Sequence, residues 1–551
     1  MPVESSYPPF EVPTSDLWTF LFERKEKPYG DDKLLYIDPS TKRGYTYAQC
    51  KDAAKEFGMG LKALWDWEKG DVLALYTPNC IDTPAIMWGC HWAGGVLSPA
   101  NPAYTVDELA FQLKDSGARA LVTQLPFIEN AKAAAKKAGI PEDMVILMGD
   151  ARDSGRTKHF TSVRNISRAT RYRKTKIQAD KDLAFLVYSS GTMGYPKGVM
   201  LTHTNIVSNI LMIKAGESGN LKTSGGPDGQ GDKILAFLPF FHIYGLTCLI
   251  HQSMYSGITL VVMEKFELER FCQIVQEYKI SFVYMVPPIV LALSKHPIVD
   301  KYDLSSIRMI NSGAAPLTHD IVDAVYKRLK VPIKQGYGLS ETSPTTHTQP
   351  WEDWNRKLGS VGRLLPNQTA KYMDETGTKE VPAGTPGELW IKGPNIFKGY
   401  LNKPELTAEA IAADGYFKTG DVGYVDDEGN FYITDRVKEL IKYKGFQVAP
   451  AELEGTLTSN DMIQDAGVIG VYDASQATEL PIAFVVPAAG VEPSKDTEQK
   501  IVKWLEGKVA PHKRLRGGVR FVEEIPKSAS GKILRRILKE QLAKEGPKSK
   551  L

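Results

Sequence analysis

Residues 183–198 read LAFLVYSSGTMGYPKG: an apolar run, Leu183 to Tyr188, that enters a stretch of hydroxyls and glycines carrying one lysine, Lys197. A short continuous apolar run of this kind predicts a buried strand, and helical periodicity follows from Asn205 to Ile213. A strand, a loop rich in Gly and hydroxyls with one Lys, then a helix suits the holding of phosphates. Glycines let backbone N–H groups approach, hydroxyls donate, and Lys197 supplies charge. The loop is not a Walker A motif, which ends in Gly-Lys-Ser/Thr, because Pro196 precedes this lysine and Gly198 follows it. An ordinary Gly-rich turn would account for GTMG alone but not for the whole string from Ser189 to Gly198.

The same texture extends outward. From about residue 70 to 340, short aliphatic or β-branched runs alternate with helix-period segments: Val72 to Tyr76, Ala120 to Thr123, Met144 to Met148, Ile258 to Met263, Phe282 to Val286 and Ile307 to Ile310. Such alternation predicts βαβ crossovers and parallel sheets with helices on both faces. Phe271, Ile274 and Val275 fall at helical spacing, so the stretch from Leu268 to Tyr278 is expected to be one of those helices. From about 360 the pattern becomes short strands split by Gly and Asp turns (GELWIKGP, YFKTGDVGYV, NFYITDR), with DDEGN as a hairpin tip. After Asp435-Arg436 helix and strand alternate again. The expectation is an α/β fold: a large N-terminal domain, residues 1–436, of βαβ-type sheets plus a β-rich subdomain over about 360–436, and a small, mobile α+β C-terminal domain, residues 437–551. Residues 217–232 and 164–176, the first rich in Gly and Ser and the second in Arg and Lys, are expected to be surface loops.

Composition narrows the function classes. The 551 residues carry 68 Lys+Arg against 65 Asp+Glu, a net charge of +3, so no global field draws the chain to nucleic acid or an anionic membrane. With 42% hydrophobic and 24% charged residues it is globular rather than disordered or fibrous. Cys50, Cys80, Cys90, Cys248 and Cys272 form no C-x-x-C pair, which argues against a disulfide scaffold and against zinc or thiol redox chemistry. The N-terminus, MPVESSYPPFEVP, lacks the basic-then-apolar pattern of a secretory signal. The longest apolar stretch, Ile234 to Ile250, is interrupted by Pro239, His242 and Gly245, and is expected to be buried strand, loop and helix rather than a transmembrane segment. Ser549-Lys550-Leu551 matches the peroxisomal address, which makes the peroxisome the expected location and its import receptor an expected partner.

The chain resembles the adenylate-forming superfamily of acyl-CoA synthetases, peptide-synthetase adenylation domains and beetle luciferases. The motifs that carry the resemblance run in order along nearly the whole chain: YSSGTMGYPKGV, PFFHIYG, NSGAAPL, QGYGLSET, GELWIKGP, YFKTGDVGYVDDEGNFYITDR, KELIKYKGFQVAPAELE and PKSASGKILRR. FHIYG and KELIKYKGFQVAPAELE look most like the 4-coumarate–CoA ligase branch.

The resemblance implies two half-reactions. In the first, a carboxylate attacks the α-phosphate of ATP to give acyl-AMP and pyrophosphate, a step that needs positioning and charge neutralisation more than covalent help. It implies that Ser189, Ser190, Gly191, Thr192, Met193, Gly194 and Lys197 surround the outer phosphates, that Glu341, preceded by Ser340, binds Mg2+, and that Lys532 bridges the carboxylate and α-phosphate. Ala314, Gln335, Gly336 and Tyr337 would flank adenine, Asp421 would accept from ribose, Arg436 would contact ribose or phosphate, and Gln447 would lie near the AMP phosphate. In the second half, coenzyme A thiol attacks acyl-AMP and AMP leaves, with the C-terminal domain rotated about Lys438. Rotation would exchange Lys532 for Lys442, with Lys444, Gly445 and Lys265 contacting coenzyme A, and His242 lining the thiol tunnel or screening acyl-AMP from water. Tyr244, Cys248, Asn311, Gly336, Pro344 and Thr345 would line the acid pocket.

The chain departs from the family pattern at three positions. Asn311 stands where plant coumarate ligases commonly have Lys, which removes a donor to a ring hydroxyl. Met193 replaces a hydroxyl residue of the phosphate loop, and Ser340 replaces Thr before Glu341. The expectation is therefore an ATP- and CoA-dependent ligase for an aromatic (cinnamate-, benzoate- or phenylacetate-like) or medium-chain carboxylic acid. A luciferase-like adenylating oxidoreductase, which shares KYKG and the terminal SKL, is one alternative. A catalytically silent nucleotide-binding homologue is another, and the presence of Lys197, Glu341, Lys438 and Lys532 argues against it.

Overall fold

The computed structural model describes residues 2–166, 171–189, 196–226, 228–315, 317–436, 439–444, 446–473, 476, 478–528 and 531–545. Among these, two large sheets form the body. One has eight strands, in spatial order Gly399–Tyr400, Lys197–Thr202, Leu183–Ser189, Val96–Ala100, Val72–Tyr76, Ala118–Gln124, Val145–Met148 and Lys158–His159. The other has nine, in the order Arg363–Leu364, Thr345–Thr348, Ile333–Gly338, Met309–Ser312, Phe282–Met285, Lys233–Ala236, Thr259–Val262, Leu34–Ile37 and Gly44–Thr46. The inner strands pair in parallel. Val72–Tyr76 and Val96–Ala100 are buried along their whole length, as strands covered on both faces are, which explains the unbroken apolar run of the first; in the second, buried Ser98 accepts from Gln112 Nε2 at 3.0 Å. Helix Thr83–Trp92 is likewise buried at every residue, and helix Leu268–Tyr278 buries Phe271, Ile274 and Val275 as its periodicity predicts.

A third, five-stranded antiparallel sheet joins Thr369–Met373, Gly387–Lys392, Phe417–Val425 and Phe431–Arg436, and Asp426 to Asn430 closes its last hairpin. Its edge strand is Val3–Glu4, from the opposite end of the chain. The C-terminal part has its own sheet, Ile463–Asp473, Thr478–Pro487 and Val519–Phe521, with the hairpin Ile441–Tyr443/Phe446–Val448 and helices Pro450–Thr458, Lys495–Glu506 and Arg535–Glu545. Leu453, Leu457, Val468, Val485, Ile501 and Leu505 fill a separate core there. Among the described residues no helix is long and apolar enough to cross a membrane.

Three local expectations change. Lys197 does not lead from the loop into a helix: it opens strand Lys197–Thr202, which runs antiparallel to Leu183–Ser189 with Lys197 opposite Ser189. The helix begins at His203, capped by Thr202 and Asn205, so a hairpin rather than a helix N-terminus closes the loop. Residues 217–232 are pinned at both ends rather than lying wholly on the surface. Glu217 is buried against Lys334, and Asp232 is buried against Arg308 and Ser281. The stretch after Phe241 forms a π-helix, Tyr244–His251, and its first turn packs so closely that an ideal Cβ on Gly245 would stand 2.2 Å from the Pro239 carbonyl oxygen, an approach that glycine permits.

Candidate active site

Strand Met309–Ser312 and strand Ile333–Gly338 lie side by side, and the turns leaving their C-terminal ends carry the first group of predicted residues. This is where open α/β sheets present ligand sites. Ala314 holds a left-handed conformation at φ 73°, an uncommon one for a residue with a Cβ. Gln335 is buried, its amide oxygen accepting from Leu317 N at 3.3 Å. The neighbouring Tyr337 donates its hydroxyl to Asp421 Oδ2 at 2.5 Å, and Arg436 Nε pairs with Asp421 Oδ1 at 2.8 Å. Asp421 and Arg436 face each other across the Phe417–Val425/Phe431–Arg436 ladder, so strand register brings them together. Burial first, then the Asp421 charge, raises the Tyr337 phenol, and Asp421 holds the Arg436 guanidinium charged.

The second group surrounds Glu341. Ser340–Thr342 is a single 3-10 turn, and Glu341 Oε1 accepts from Tyr400 Oη at 2.9 Å. Lys197 Nζ lies 5.0 Å from the centre of the Tyr400 ring, so the lysine and the carboxylate flank one phenol. Tyr400 was not among the residues expected from sequence. A signal existed in its position at the end of GPNIFKGY, but its role comes from the pairing of Gly399–Tyr400 with Lys197–Thr202. One carboxylate, Glu341, suits a hard cation that takes its other ligands from water and phosphate, so the residues present fit Mg2+.

Lys532 belongs to a turn in which Ser528 N donates to Lys532 O at 2.8 Å and Lys532 N donates to Ser528 Oγ at 3.2 Å. Its Nζ is 3.5 Å from Glu439 Oε1. Burial, then the positive charge of Arg436, pushes the ammonium pKa down, while Glu439 and Asp421 oppose the shift. Lys532 thus lies within electrostatic reach of the Asp421–Arg436 pair, with Glu439 as its contact partner. Next to it, Arg535 bonds Glu439 Oε2 at 2.5 Å and Glu454 at 2.7 and 2.9 Å. Burial raises Glu454 to about 7 and Asp435 to about 6, with Arg535 opposing both. Asp435 Oδ2 accepts from Ala451 N at 3.1 Å, tying the end of the antiparallel sheet to helix Pro450–Thr458. Glu439, Arg535 and Asp435 were not foreseen as a group, since they lie 96 residues apart between Glu439 and Arg535.

The predicted acid pocket also converges. Tyr244 Oη donates to Asn311 O at 3.3 Å, Cys248 Sγ and Thr345 Oγ1 are 3.4 Å apart, and an ideal Cβ on Gly336 would lie 3.4 Å from Asn311 Oδ1. Pro344 stands between, its carbonyl accepting from Leu339 N at 3.2 Å. His242 precedes the π-helix. Its Nδ1 accepts from Tyr244 N at 3.2 Å, which leaves Nε2 as the protonated nitrogen, and burial lowers its pKa to about 4. The ring is neutral at physiological pH.

Lys442, Lys444 and Lys265 do not join this group. Lys442 and Lys444 are exposed on the C-terminal hairpin, their backbone amides donating to Glu479 Oε2 and Thr478 Oγ1 at 2.7 Å each, and Lys265 pairs with Glu267 at 3.1 Å. Ser190, Gly191, Thr192, Met193, Gly194, Lys438, Gly445, the Gln447 side chain and Ser549-Lys550-Leu551 lie outside the described residues.

The sequence matches the AMP-binding enzyme family over residues 22–401 and the C-terminal domain family of AMP-binding enzymes over 452–532. It is 38% identical over 552 residues to a protein of Dictyostelium discoideum named probable 4-coumarate–CoA ligase 1, covering 97% of each chain. It is 39% identical over 533 residues to 4-coumarate–CoA ligase of Pinus taeda, covering 96% of this chain and 95% of the relative. Among solved structures it resembles ATP-bound MatB from Rhodopseudomonas palustris, with a TM-score of 0.82 at 27% identity over 96% of this chain and 98% of the other.

Proposed function

The chain belongs to the AMP-binding enzyme family, and from that membership we propose that it is an ATP-dependent acyl-CoA ligase that converts an aromatic carboxylic acid, ATP and coenzyme A to acyl-CoA, AMP and pyrophosphate. The observation that supports the mechanism is the largely buried Lys532, 3.5 Å from Glu439 and within electrostatic reach of the Asp421–Arg436 pair, with Tyr337 on the same aspartate. A carboxylate attacking an α-phosphate brings two anions together, and an ammonium at that point lowers the barrier by neutralising the charge that gathers. Desolvation of Lys532 strengthens this effect, because the same charge acts further in a dry site.

In the first half-reaction the acid oxygen bonds to the α-phosphorus and the bond to the pyrophosphate oxygen breaks. Asp421 accepts from the ribose hydroxyls and Arg436 holds Asp421 in place, while Gln335 and Ala314 edge the base. Lys197, with the hydroxyls of the loop after Ser189, binds the outer phosphates. Glu341, oriented by Tyr400, would hold Mg2+, which offsets phosphate charge when bound. In the second half-reaction the thiol sulfur of coenzyme A bonds to the acyl carbon, AMP leaves, and the thiol proton passes to solvent. The two halves need one face of the site in turn, and Lys442 and Lys444, exposed on the C-terminal hairpin, are the surface that a rotation about Lys438 would bring in. His242, neutral and half-buried, screens acyl-AMP from water. Tyr244 and the aromatic lining around it, with the relatives named 4-coumarate–CoA ligase, support a ring acid over a medium-chain one.

The test is AMP release across benzoate, phenylacetate, cinnamates and fatty acids of graded length, with and without coenzyme A. Stoichiometric acyl-CoA and AMP from a ring acid is expected. ATP binding with no pyrophosphate exchange for any acid would defeat the reading.

A further inference from the structure

Strands Gly387–Lys392 and Phe417–Val425 do not pair in one continuous register. Gly387 faces Gly423 and Glu388 faces Val422, yet Trp390 faces Lys418 and Ile391 faces Phe417. Leu389 alone therefore spans three residues, Thr419, Gly420 and Asp421, so that two are surplus to the ladder. An even surplus keeps the alternation of faces on either side of it, and Phe417 and Val425 both stay buried. The pairing with the next strand, Phe431–Arg436, is irregular as well. Asp421 and Val422 face Arg436 and Asp435, Gly423 faces Ile433, and Thr434 is left over. Asp421 thus stands between two bulges, where its carboxylate meets Tyr337 Oη and Arg436 Nε.

A bulge strips backbone groups of their ladder partners, and buried groups must find others. Here side chains supply them. Thr419 Oγ1 donates to Leu389 O at 2.6 Å and accepts from Asp421 N at 3.1 Å. Glu388 Oε1 accepts from Gly420 N at 3.0 Å, and Gly420 holds the left-handed conformation at φ 71° that the turn requires. Across the second bulge Thr434 Oγ1 donates to Val422 O at 3.0 Å. Thr419 and Asp421 are both buried, so water is a poor substitute for these partners.

We propose that Glu388 and Thr419 are positioning residues for the nucleotide: they lock the surplus turn and through it aim the Asp421 carboxylate at the ribose hydroxyls, without touching ATP themselves. The assignment rests on the ribose role given to Asp421 under the proposed function. Thr419 acts through the Asp421 amide, and Glu388 acts one residue earlier through the Gly420 amide. Without either clamp the freed amide has no partner and the turn shifts to find one, carrying the carboxylate with it. Misplacing a positioning contact by about 1 Å costs up to about 10²-fold in rate.

The test is CoA-dependent AMP release with a ring acid, using ATP, 2′-deoxy-ATP and 3′-deoxy-ATP. Wild-type protein is expected to favour ATP over at least one deoxy analogue by about tenfold or more in kcat/KM, the size of one hydrogen bond to a charged acceptor. Glu388→Ala and Thr419→Val should each lower kcat/KM for ATP about tenfold, mainly through KM for ATP, and lower it far less for that analogue, so the ratio moves toward one. Glu388→Gln keeps an acceptor for Gly420 and Thr419→Ser keeps the hydroxyl, and both should hold the wild-type ratio. A general loss of structure would instead lower all three nucleotides alike. Where a melting curve shows that Thr419→Val has not folded, the half-buried Glu388 decides through its Ala and Gln variants. A ratio unmoved by Glu388→Ala, or equal losses with every nucleotide, would overturn this proposal and leave both the ribose role of Asp421 and the ligase reading intact. Wild-type protein that uses the three nucleotides equally would overturn the ribose role and this proposal together. No AMP release with any acid would overturn the ligase reading and this proposal with it.

Discussion

Lys532 and Glu439 meet ammonium to carboxylate at 3.5 Å, and the other oxygen of Glu439 is held by Arg535 at 2.5 Å. Glu439 thereby pairs with the lysine and positions it, and the ammonium lies within electrostatic reach of Asp421 and Arg436. Lys532→Ala should lower acyl-AMP formation by about 10²- to 10³-fold, the range for losing one preorganised electrostatic contact. Thioester formation from pre-made acyl-AMP should change only a few-fold. Rapid-quench measurement of each half-reaction reads the difference, and equal losses in both would contradict the role given to Lys532.

The Tyr337–Asp421 hydrogen bond at 2.5 Å and the Asp421–Arg436 pair at 2.8 Å form one unit, and the proposed function gives that unit the ribose. Tyr337→Phe removes a hydrogen bond to a charged acceptor, so KM for ATP should rise about tenfold. Asp421→Asn also leaves Arg436 without its counter-ion and should raise KM further. Pyrophosphate exchange against ATP concentration reads both, and unchanged ATP dependence in either variant would remove the pair from nucleotide recognition.

His91, His203 and His251 lie together in the interior, with the His91 and His203 rings 5.3 Å apart. Burial lowers them to about 4, about 3 and about 3. The unfolded chain takes up protons below its ordinary histidine value near 6.5, whereas the folded one does not until about 4. Stability is therefore full above about pH 6.5 and falls as pH drops toward 4, by at most about 1.4 kcal/mol per pH unit for each histidine. His91→Gln keeps a donor toward the Ala184 carbonyl, which His91 Nε2 meets at 3.0 Å, and removes one titration. Denaturant unfolding at a series of pH values should show a shallower slope for the variant; an equal slope would mean that His91 contributes nothing to acid sensitivity.

Gly455, inside helix Pro450–Thr458, faces the large part of the chain, where an ideal Cβ would stand 2.2 Å from Thr318 Cγ2. Gly455→Val should hold the C-terminal part off the position in which Lys532 feels the charges of Arg436 and Asp421. Adenylation should fall by about tenfold or more, in proportion to the docked population lost, with the thioester half-reaction affected less. A variant with unchanged adenylation would show that this contact does not govern docking.

Local pattern carried the strands and helices a long way. The strands at Val72–Tyr76 and Phe282–Met285 were legible because a strand buried on both faces is apolar throughout, and helix Leu268–Tyr278 because one face alone is buried, whereas the run read at Ile307 to Ile310 fell two residues early, since the strand Met309–Ser312 ends in the polar Asn311 and Ser312. Lys197 misled for the same reason. Val199 and Leu201 are as consistent with a strand as with the approach to a helix, and only pairing with Leu183–Ser189 decides between them. Residues 217–232 looked exposed from their Gly and Ser content, but composition does not show that Glu217 and Asp232 at the ends find Lys334 and Arg308.

The order of the motifs, the strand-forming runs and the candidate residues at their ends were determined by the sequence itself, since each depends on spacing along the chain. The tertiary structure alone decided that Tyr400 orients Glu341, that Arg535 gathers Glu439 and Glu454, and that Lys334 finds Glu217 across 117 positions. Those contacts depend on which strands become neighbours and in what register, and a one-residue slip would send every such side chain to the opposite face.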